Sequence, residues 1–104
     1  NLKMFFKSSF DLSLEEFKSK LAEEGGTVVD CRTPMECADG TWPDALQADW
    51  NGGKFPEVAK DLDKNKPVYC YCRSGARSGA AASYLKEQGF ASAFNLGGYS
   101  GLKG

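Results

Sequence analysis

The chain has 104 residues, 41% of them hydrophobic, and its 13 basic and 14 acidic side chains leave a net charge of −1 at pH 7. A chain of this length predicts one domain spanning residues 1–104, with enough apolar content for one packed core. The balanced charge argues against binding to nucleic acid or to an anionic membrane. Histidine is absent from the sequence, which excludes a Ser-His-Asp triad, a Cys-His pair and most zinc sites.

The sequence contains four cysteines, Cys31, Cys37, Cys70 and Cys72. They are too few for a disulfide-built mini-domain, and no Cys-x2-Cys pair indicates zinc. We therefore expect reduced thiols, with a disulfide as the alternative, and neither a metal nor another cofactor. No apolar run approaches the ~20 residues that span a bilayer. We expect a cytoplasmic protein, or a periplasmic one if a signal was removed before Asn1.

The first segment is predicted to hold an edge strand and a helix. Met4–Phe10 is short and aromatic, which suits an edge strand. Ser13 and Glu16 then have the spacing of a capping box, in which each side chain bonds the backbone N–H of the other residue. Apolar residues follow at helical spacing as far as two glycines, so this helix is predicted to end near Glu24.

Two strands and two helices are predicted in the middle of the chain. The β-branched run Thr27–Cys31 is typical of a short buried strand in a parallel sheet. Pro34 suits the first position of a short helix that reaches about Ala38. A short strand is predicted around Ala45–Ala48. The apolar spacing over Phe55–Leu62 then predicts a second, longer helix.

The last part repeats this alternation. Pro67–Tyr71 reads as a buried strand. After a loop rich in glycine, serine and arginine, Ala80–Gln88 is predicted to be helical, and the next glycine and phenylalanine fit a Schellman-type end. Ala93–Leu96 is predicted as the last strand, before a turn or short helix at Tyr99–Leu102. Strands that alternate with helices predict a three-layer α/β domain, with a mainly parallel sheet of about five strands flanked by helices on both faces.

The loop after the most apolar strand carries the candidate chemistry, because ligands of such sheets bind beyond the carboxyl ends of the strands. Cys72 stands at that end. Glycine and small residues allow the following amides to curl toward one spot, and the next helix adds its N-terminal N–H groups. Arg73 and Arg77 add two cations. Such surroundings favour a thiolate, so we predict that Cys72 is a nucleophile inside an anion-binding loop. The loop residues are Arg73, Ser74, Gly75, Ala76, Arg77 and Ser78.

Simpler interpretations exist for every cysteine. Cys72 could merely end a strand, although this leaves the concentration of anion-binding features unexplained. Cys70 is interpreted as a buried structural thiol, and a resolving thiol for Cys72 is the alternative. Cys31 and Cys37 are expected to pack in the core, and a disulfide from either to Cys72 is expected to be minor, since no Cys-x-x-Cys spacing exists.

These motifs together resemble the rhodanese family of sulfurtransferases. The family's active-site loop is cysteine, a basic or small residue, any residue, glycine, any residue, then arginine or threonine, and Cys72–Arg77 matches it. Val28–Glu36 resembles the family's strand ending in Asp-Val-Arg and a helix that contains glutamate. Gly40 to Ala45 resembles its Gly-His-Ile-Pro-Gly-Ala turn, and Phe94–Tyr99 its closing Gly-Gly segment. The similarity runs from about residue 13 to the end.

The resemblance implies a two-step sulfur exchange. The Cys72 thiolate would take the outer sulfur of thiosulfate or a related donor, and the persulfide would pass it to cyanide, a thiol or a thiol protein such as a thioredoxin. Loop amides would stabilise the terminal sulfur, and Arg73 and Arg77 would attract the donor. Asp30 and Arg32 would brace the loop and the neighbouring helix.

The sequence departs from the family pattern in the turn before the predicted Ala45–Ala48 strand. Thr41 and Trp42 replace His-Ile, and Asp44 replaces a glycine, so this turn is expected to be reshaped. Trp42 either shades the pocket mouth or packs in the core. Ser74 stands where some thiosulfate-specific members carry lysine, which leaves the affinity for thiosulfate open.

Three other functions compete with sulfur transfer between small molecules. Cysteine phosphatases and arsenate reductases of related fold need Cys-x5-Arg, whereas Cys72 and Arg77 give Cys-x4-Arg, a loop one residue too short. A protein-to-protein sulfur relay uses the same cysteine and differs only in its partner. A redox sensor based on Cys72 is the third alternative.

Overall fold

A computed structural model describes residues 10–103 of the chain. The four described strands are β1 (Thr27–Asp30), β2 (Leu46–Gln47), β3 (Val68–Cys72) and β4 (Ala93–Gly98). The five described helices are α1 (Leu14–Glu24), α2 (Pro34–Cys37), α3 (Phe55–Ala59), α4 (Ala76–Glu87) and α5 (Tyr99–Leu102). None of these helices has both the length and the apolar content to cross a membrane.

The strands form one sheet in the order β2-β1-β3-β4, and every neighbouring pair is parallel. The predicted α/β fold with a parallel sheet is therefore confirmed, with four strands among residues 10–103 rather than about five. The predicted edge strand Met4–Phe10 falls on residues 4–9, which lie outside the described residues, and on Phe10, which is a bend. Because all strands run the same way, their carboxyl ends meet at one edge of the sheet.

Each face of the sheet carries its own apolar cluster, which makes the three layers. On one face, Val29 and Cys70 of the sheet pack with Phe55 of α3 and Leu85 of α4. The opposite cluster joins the sheet to α1 and α5; its buried members are Phe17, Val28, Tyr69, Tyr71, Leu96 and Leu102. Helices thus lie on both faces, as the alternation of elements predicts.

The first two helices begin where their capping residues predict. Ser13 Oγ accepts the N–H of Glu16 at 3.1 Å, and the Glu16 carboxylate accepts the N–H of Ser13 at 2.8 Å. The predicted capping box and the end of α1 at Glu24 are both confirmed. Thr33 caps α2 in the same way through Glu36, with Pro34 in the first turn.

Two helices differ from their predicted lengths. The helix predicted over Phe55–Leu62 is helical only as far as Ala59, because the N–H groups of Asp61 and Leu62 bond three residues back, with Leu62 N–H donating to Ala59 O at 3.0 Å. The helix predicted from Ala80 begins at Ala76 instead, inside the Gly-Ser-Arg loop. Its predicted Schellman end is confirmed, since Phe90 N–H donates to Leu85 O at 3.0 Å.

Candidate active site

The candidate site is the tight connection between β3 and α4. Cys72 is the last residue of β3, and only three residues separate it from the first residue of α4. Gly75 makes this turn possible, because it has φ 99°, a left-handed conformation that costs glycine little and other residues more. The first turn of the helix is thereby folded back over the Cys72 side chain.

The Cys72 sulfur is the focus of several hydrogen-bond donors. It accepts the N–H of Gly75 at 3.1 Å, the N–H of Ser78 at 3.4 Å and the hydroxyl of Ser78 at 3.3 Å. Burial alone would raise the pKa of the Cys72 thiol, but the hydroxyl and amide of Ser78 and the amides of Gly75 and Ser74 outweigh it and lower that pKa. Donors that converge on one atom favour its anionic form.

The same loop encloses the sulfur. The exposed fraction of Cys72 is 0%, whereas Arg73, Ser74 and Ala76 are exposed. The N–H groups of Gly75 and Ser78 point at the sulfur. The thiol itself has no face open to solvent. A reagent reaches this sulfur only when neighbouring atoms move aside.

Arg77 is held by a carboxylate from another helix. Its two terminal nitrogens donate to the two carboxylate oxygens of Glu36, at 2.8 and 3.0 Å. The Arg77 hydrogen bonds, followed by the Thr33 amide, lower the pKa of Glu36 to about 2. Arg77 also lies against the Cys72 thiol. In the structure Arg77 is paired with Glu36 and ties α4 to α2, and that it attracts the donor stays a prediction.

Arg73 differs from Arg77 in its exposure and in its contacts. Its side chain is exposed, and no carboxylate among residues 10–103 forms an ion pair with it. Together with Ser74 and Ser100 it lines a cavity of about 360 Å³ beside the loop. The Arg73 carbonyl packs against Gly98 of β4, where a Cβ would collide with it. Arg73 is the cation of the loop that remains available to an anionic ligand.

Asp30 and Arg32 form a buried ion pair at the end of β1. Arg32 Nε and Nη2 donate to the Asp30 carboxylate at 2.8 to 3.1 Å, and Nη2 also donates to the Gly40 carbonyl at 2.7 Å. The guanidinium lies 4.4 Å from the ring centre of Tyr99. Among the described residues this pair contacts the Gly40 turn and Tyr99 of α5, and that it also braces the Cys72 loop stays a prediction.

The other three cysteines are buried, free thiols. Cys31 and Cys70 lie in the same apolar cluster as Cys72, which agrees with packing in the sheet face. A hydrogen bond with Cys70, and then burial, raise the pKa of Cys31, and burial raises that of Cys37 to about 11. That a disulfide to Cys72 is minor stays a prediction.

In the turn before β2, Trp42 packs in the core. The Trp42 ring lies 4.9 Å from the ring of Phe17, on the sheet face opposite the Cys72 cluster. Trp42 therefore does not shade the Cys72 loop. Asp44, which replaces glycine in the family pattern, has φ 63°, so the backbone keeps a left-handed conformation even without a glycine.

Two residues of the site were missed by sequence reasoning. Glu36 holds Arg77, and Thr33-x-x-Glu36 has the capping-box spacing that could have marked it as a structured carboxylate. Asn95 on β4 contacts the loop at Gly75 and Ser78. No local sequence pattern indicates this contact, because it depends on the pairing of β4 with β3.

Comparison with known proteins identifies similar chains. The family model of the rhodanese-like domain matches residues 13–104. A sulfurtransferase of Allochromatium vinosum is 40% identical over 89 residues, 85% of this chain and 81% of that protein. The thiosulfate sulfurtransferase GlpE of Pseudomonas syringae pv. syringae is 31% identical over 78 residues, 75% of this chain and 72% of that protein. A crystal structure of a rhodanese-like domain protein from Staphylococcus aureus has a TM-score of 0.74 at 29% identity, and the match covers 88% of each chain.

Proposed function

Since the chain belongs to the rhodanese-like domain family and is a sulfurtransferase of the rhodanese type, we propose that it carries a sulfane sulfur as a persulfide on Cys72. The donor is thiosulfate or a related small molecule, and the acceptor is cyanide or a thiol. The hydrogen bonds that converge on the Cys72 sulfur are the strongest support, because they favour the thiolate without a histidine base.

The exchange proceeds in two displacements at sulfur. The Cys72 thiolate attacks the outer sulfur of thiosulfate, a Cys72 S–S bond forms, and the bond to the inner sulfur breaks so that sulfite leaves with its electron pair. Cyanide then attacks the terminal sulfur, thiocyanate leaves, and the thiolate is restored. Both steps keep a negative charge beside the donors of the loop, so the same N–H groups serve the thiolate and the persulfide.

Donor recognition falls mainly to Arg73. It is exposed and lacks an ion-pair partner in the described part of the chain, whereas Arg77 is shared with Glu36. An exposed guanidinium beside the loop attracts a dianion such as thiosulfate and can form two hydrogen bonds with its oxygens. The similarity to a thiosulfate sulfurtransferase supports this donor.

Intact mass spectrometry after thiosulfate treatment tests the proposal. We expect the addition of one sulfur, its removal by cyanide, and neither event in Cys72→Ser. The cyanide step is needed because oxidation by two oxygens adds nearly the same mass. Cys37→Ser, which removes a buried thiol outside the loop, should load sulfur like the parent. Sulfur loading that survives Cys72→Ser would refute the assignment.

A protein thiol, such as that of a thioredoxin, is the second candidate acceptor. Met35 favours it: this residue is 85% exposed on α2, next to the Glu36 that holds Arg77. An exposed, adaptable methionine suits a protein contact. If the physiological acceptor is a protein, Met35→Ser should slow sulfur transfer to a reduced thioredoxin and leave transfer to cyanide unchanged. If Met35→Ser transferred sulfur to thioredoxin as fast as the parent protein does, Met35 would be excluded from such a contact.

A phosphatase activity is disfavoured by the size of the loop. The interval from Cys72 to Arg77 is one residue shorter than a phosphate loop needs, and the guanidinium that would hold a phosphate is bound to Glu36. We expect no hydrolysis of an aryl phosphate by the protein. Hydrolysis as efficient as sulfur transfer would reverse this assignment.

A further inference from the structure

Asn95 joins the last described strand to the Cys72 loop by two side-chain hydrogen bonds, and a third holds its carboxamide to Gly97 of the same strand. Its Nδ2 donates to the Gly75 carbonyl at 3.0 Å, and its Oδ1 accepts the Ser78 hydroxyl at 2.7 Å and the Gly97 N–H at 2.9 Å. Gly75 and Ser78 are the residues whose N–H groups reach the Cys72 sulfur. One carboxamide therefore fixes both ends of the segment that surrounds the sulfur.

The backbone of β4 is irregular at this point. Cys70 pairs with Asn95, but Cys72 pairs with Gly98, so β4 has one more residue than β3 across this step. Such a bulge redirects a side chain and is frequent beside active sites. Gly97, within the bulge, has φ 86°. The extra residue lies between Asn95 and Gly98, so Asn95 is the last regularly paired residue, opposite Cys70, before β4 bends beside the loop.

The helix leaves room for the carboxamide. A Cβ on Gly79 would lie 3.1 Å from Asn95 Nδ2, closer than most real Cβ contacts. Gly79 N–H also donates to the Gly75 carbonyl at 2.9 Å, so this carbonyl oxygen accepts both Asn95 and the first backbone bond of α4. The start of α4 is thus held by a hydrogen bond within the helix and by one from the neighbouring strand.

We propose that Asn95 is a positioning residue of sulfur transfer, and that its carboxamide holds Gly75 and Ser78 so that their donors converge on the Cys72 sulfur. The Ser78 hydroxyl has a single hydrogen and two acceptors, Asn95 Oδ1 and the sulfur. Asn95 Oδ1 accepts this hydroxyl and Asn95 Nδ2 holds the Gly75 carbonyl, so that the N–H groups of Gly75 and Ser78 stay 3.1 and 3.4 Å from the sulfur. The importance of this arrangement for catalysis rests on the proposed function.

Few charged groups face the Cys72 sulfur in the described residues. Arg77 approaches from α4, with its charge shared by Glu36 of α2, and Cys31 faces the sulfur from just beyond the end of β1. From β4 the neutral Asn95 lies nearest, and Asp11 bonds the Asn95 backbone N–H at 2.8 Å. Replacing Asn95 by a neutral residue leaves all of these charges in place, so a change in the titration of Cys72 reports the lost positioning.

The test is the pH dependence of Cys72 alkylation by iodoacetamide, measured by peptide mass spectrometry. In Asn95→Ala we expect the midpoint to rise by roughly one pH unit, which makes alkylation about tenfold slower below the midpoint. Asn95→Thr, a substitution that suits a strand, also lacks the carboxamide and should shift the midpoint in the same direction if Asn95→Ala folds poorly. Asn51→Ala, in the exposed loop before α3, is the matched control and should leave the midpoint unchanged.

Ser78→Ala shows whether Asn95 acts through the hydroxyl. We expect Asn95→Ala to shift the midpoint less in the Ser78→Ala background than in the parent, because part of the effect is already lost. A midpoint that is unchanged or lowered in a folded Asn95 variant, with only its melting temperature reduced, would overturn the positioning role. Alkylation reads the thiol directly, so this failure is separate from a failure of Cys72 to load sulfur from thiosulfate.

Discussion

The ends of β1 and β3 lie side by side, and each holds a buried group that can carry negative charge. Burial alone would raise the pKa of Asp30, but hydrogen bonds from Arg32 and Tyr71 keep it below its usual range. Asp30 therefore has a full counter-charge within 3 Å, with Arg32 Nη2 at 2.8 Å from the carboxylate. Cys72 is surrounded mainly by neutral donors from its own loop.

This difference shows how one buried group at a strand end can become part of the fold while the group at the neighbouring strand end remains able to react. A carboxylate with its own guanidinium is neutralised and becomes part of the fold, and removing either partner leaves an unpaired buried charge. A sulfur held by oriented dipoles is stabilised as an anion while no cation binds it exclusively, so it can still form a bond. The nearest cation, Arg77, divides its charge between Cys72 and Glu36.

The largest effect is expected from a substitution of Asp30, at the end of β1. Asp30→Asn leaves the Arg32 charge buried without its partner, and we expect a loss of about 3–5 kcal/mol in the free energy of unfolding. Urea denaturation measures this loss. The alkylation midpoint of Cys72 should stay where it is, provided the variant is folded.

Arg32→Met added to Asp30→Asn sharpens the same comparison. The double variant removes both charges, so it should cost less than the sum of the two single substitutions. If the Asp30 substitution moved the Cys72 midpoint as far as Asn95→Ala, the two strand ends would not be independent.

An intermediate effect is expected at the bridge between α2 and α4. Glu36→Gln removes the negative charge that pairs with Arg77. Since the pair is partly buried, we expect a loss of about 1–2 kcal/mol in the free energy of unfolding at pH 7. The folded pKa of Glu36 is about 2 against 4.5 for the free group. Its contribution is thus complete above about pH 4.5 and disappears as the pH falls toward 2. Denaturation between pH 2 and 7 should show a flatter profile for Glu36→Gln.

Glu24→Gln is the matched control for that measurement. Glu24 pairs with Lys20 at 2.7 Å on the exposed face of α1, and such a pair contributes at most about 0.5 kcal/mol. A loss in Glu24→Gln as large as in Glu36→Gln would mean that the bridge to α4 has no special stabilising role.

The smallest effect is expected in the turn before β2. Asp44 has φ 63°, and a left-handed residue with a side chain is strained, partly offset by the greater flexibility of an unfolded glycine. Asp44→Gly should therefore stabilise the fold by about 0.5 kcal/mol. Thermal denaturation measures the gain, and sulfur transfer should not change. A lower melting temperature would show that the Asp44 side chain makes a stabilising contact.

Local patterns predicted what depends on neighbouring residues. The capping box of Ser13, the buried strand (predicted over Pro67–Tyr71 and found over Val68–Cys72) and the glycine after α4 all follow from propensity and short-range hydrogen bonds. The start of α4 was placed four residues too late, because Gly75 to Gly79 reads locally as a loop. Tertiary contacts override that preference: the carbonyl of Gly75 and the hydroxyl of Ser78 are both held by β4.

Long-range partners could not be read from the sequence. The Arg77–Glu36 pair joins residues 41 positions apart, and two arginines near a cysteine look equally available in a linear motif. The Asn95 contact depends on the pairing of β4 with β3, which places Asn95 opposite Cys70. Such choices are made by packing and register, so the sequence indicated the cysteine of the candidate site but not the side chains that arrange its surroundings.

The closing wall of the site comes from β4, the last of the described strands in chain order. Gly98 touches the Arg73 carbonyl, and Asn95 holds the first turn of α4. A chain emerging from the ribosome exposes Cys72 some 20 residues before Asn95. The loop around Cys72 is therefore complete only after β4 has paired with β3.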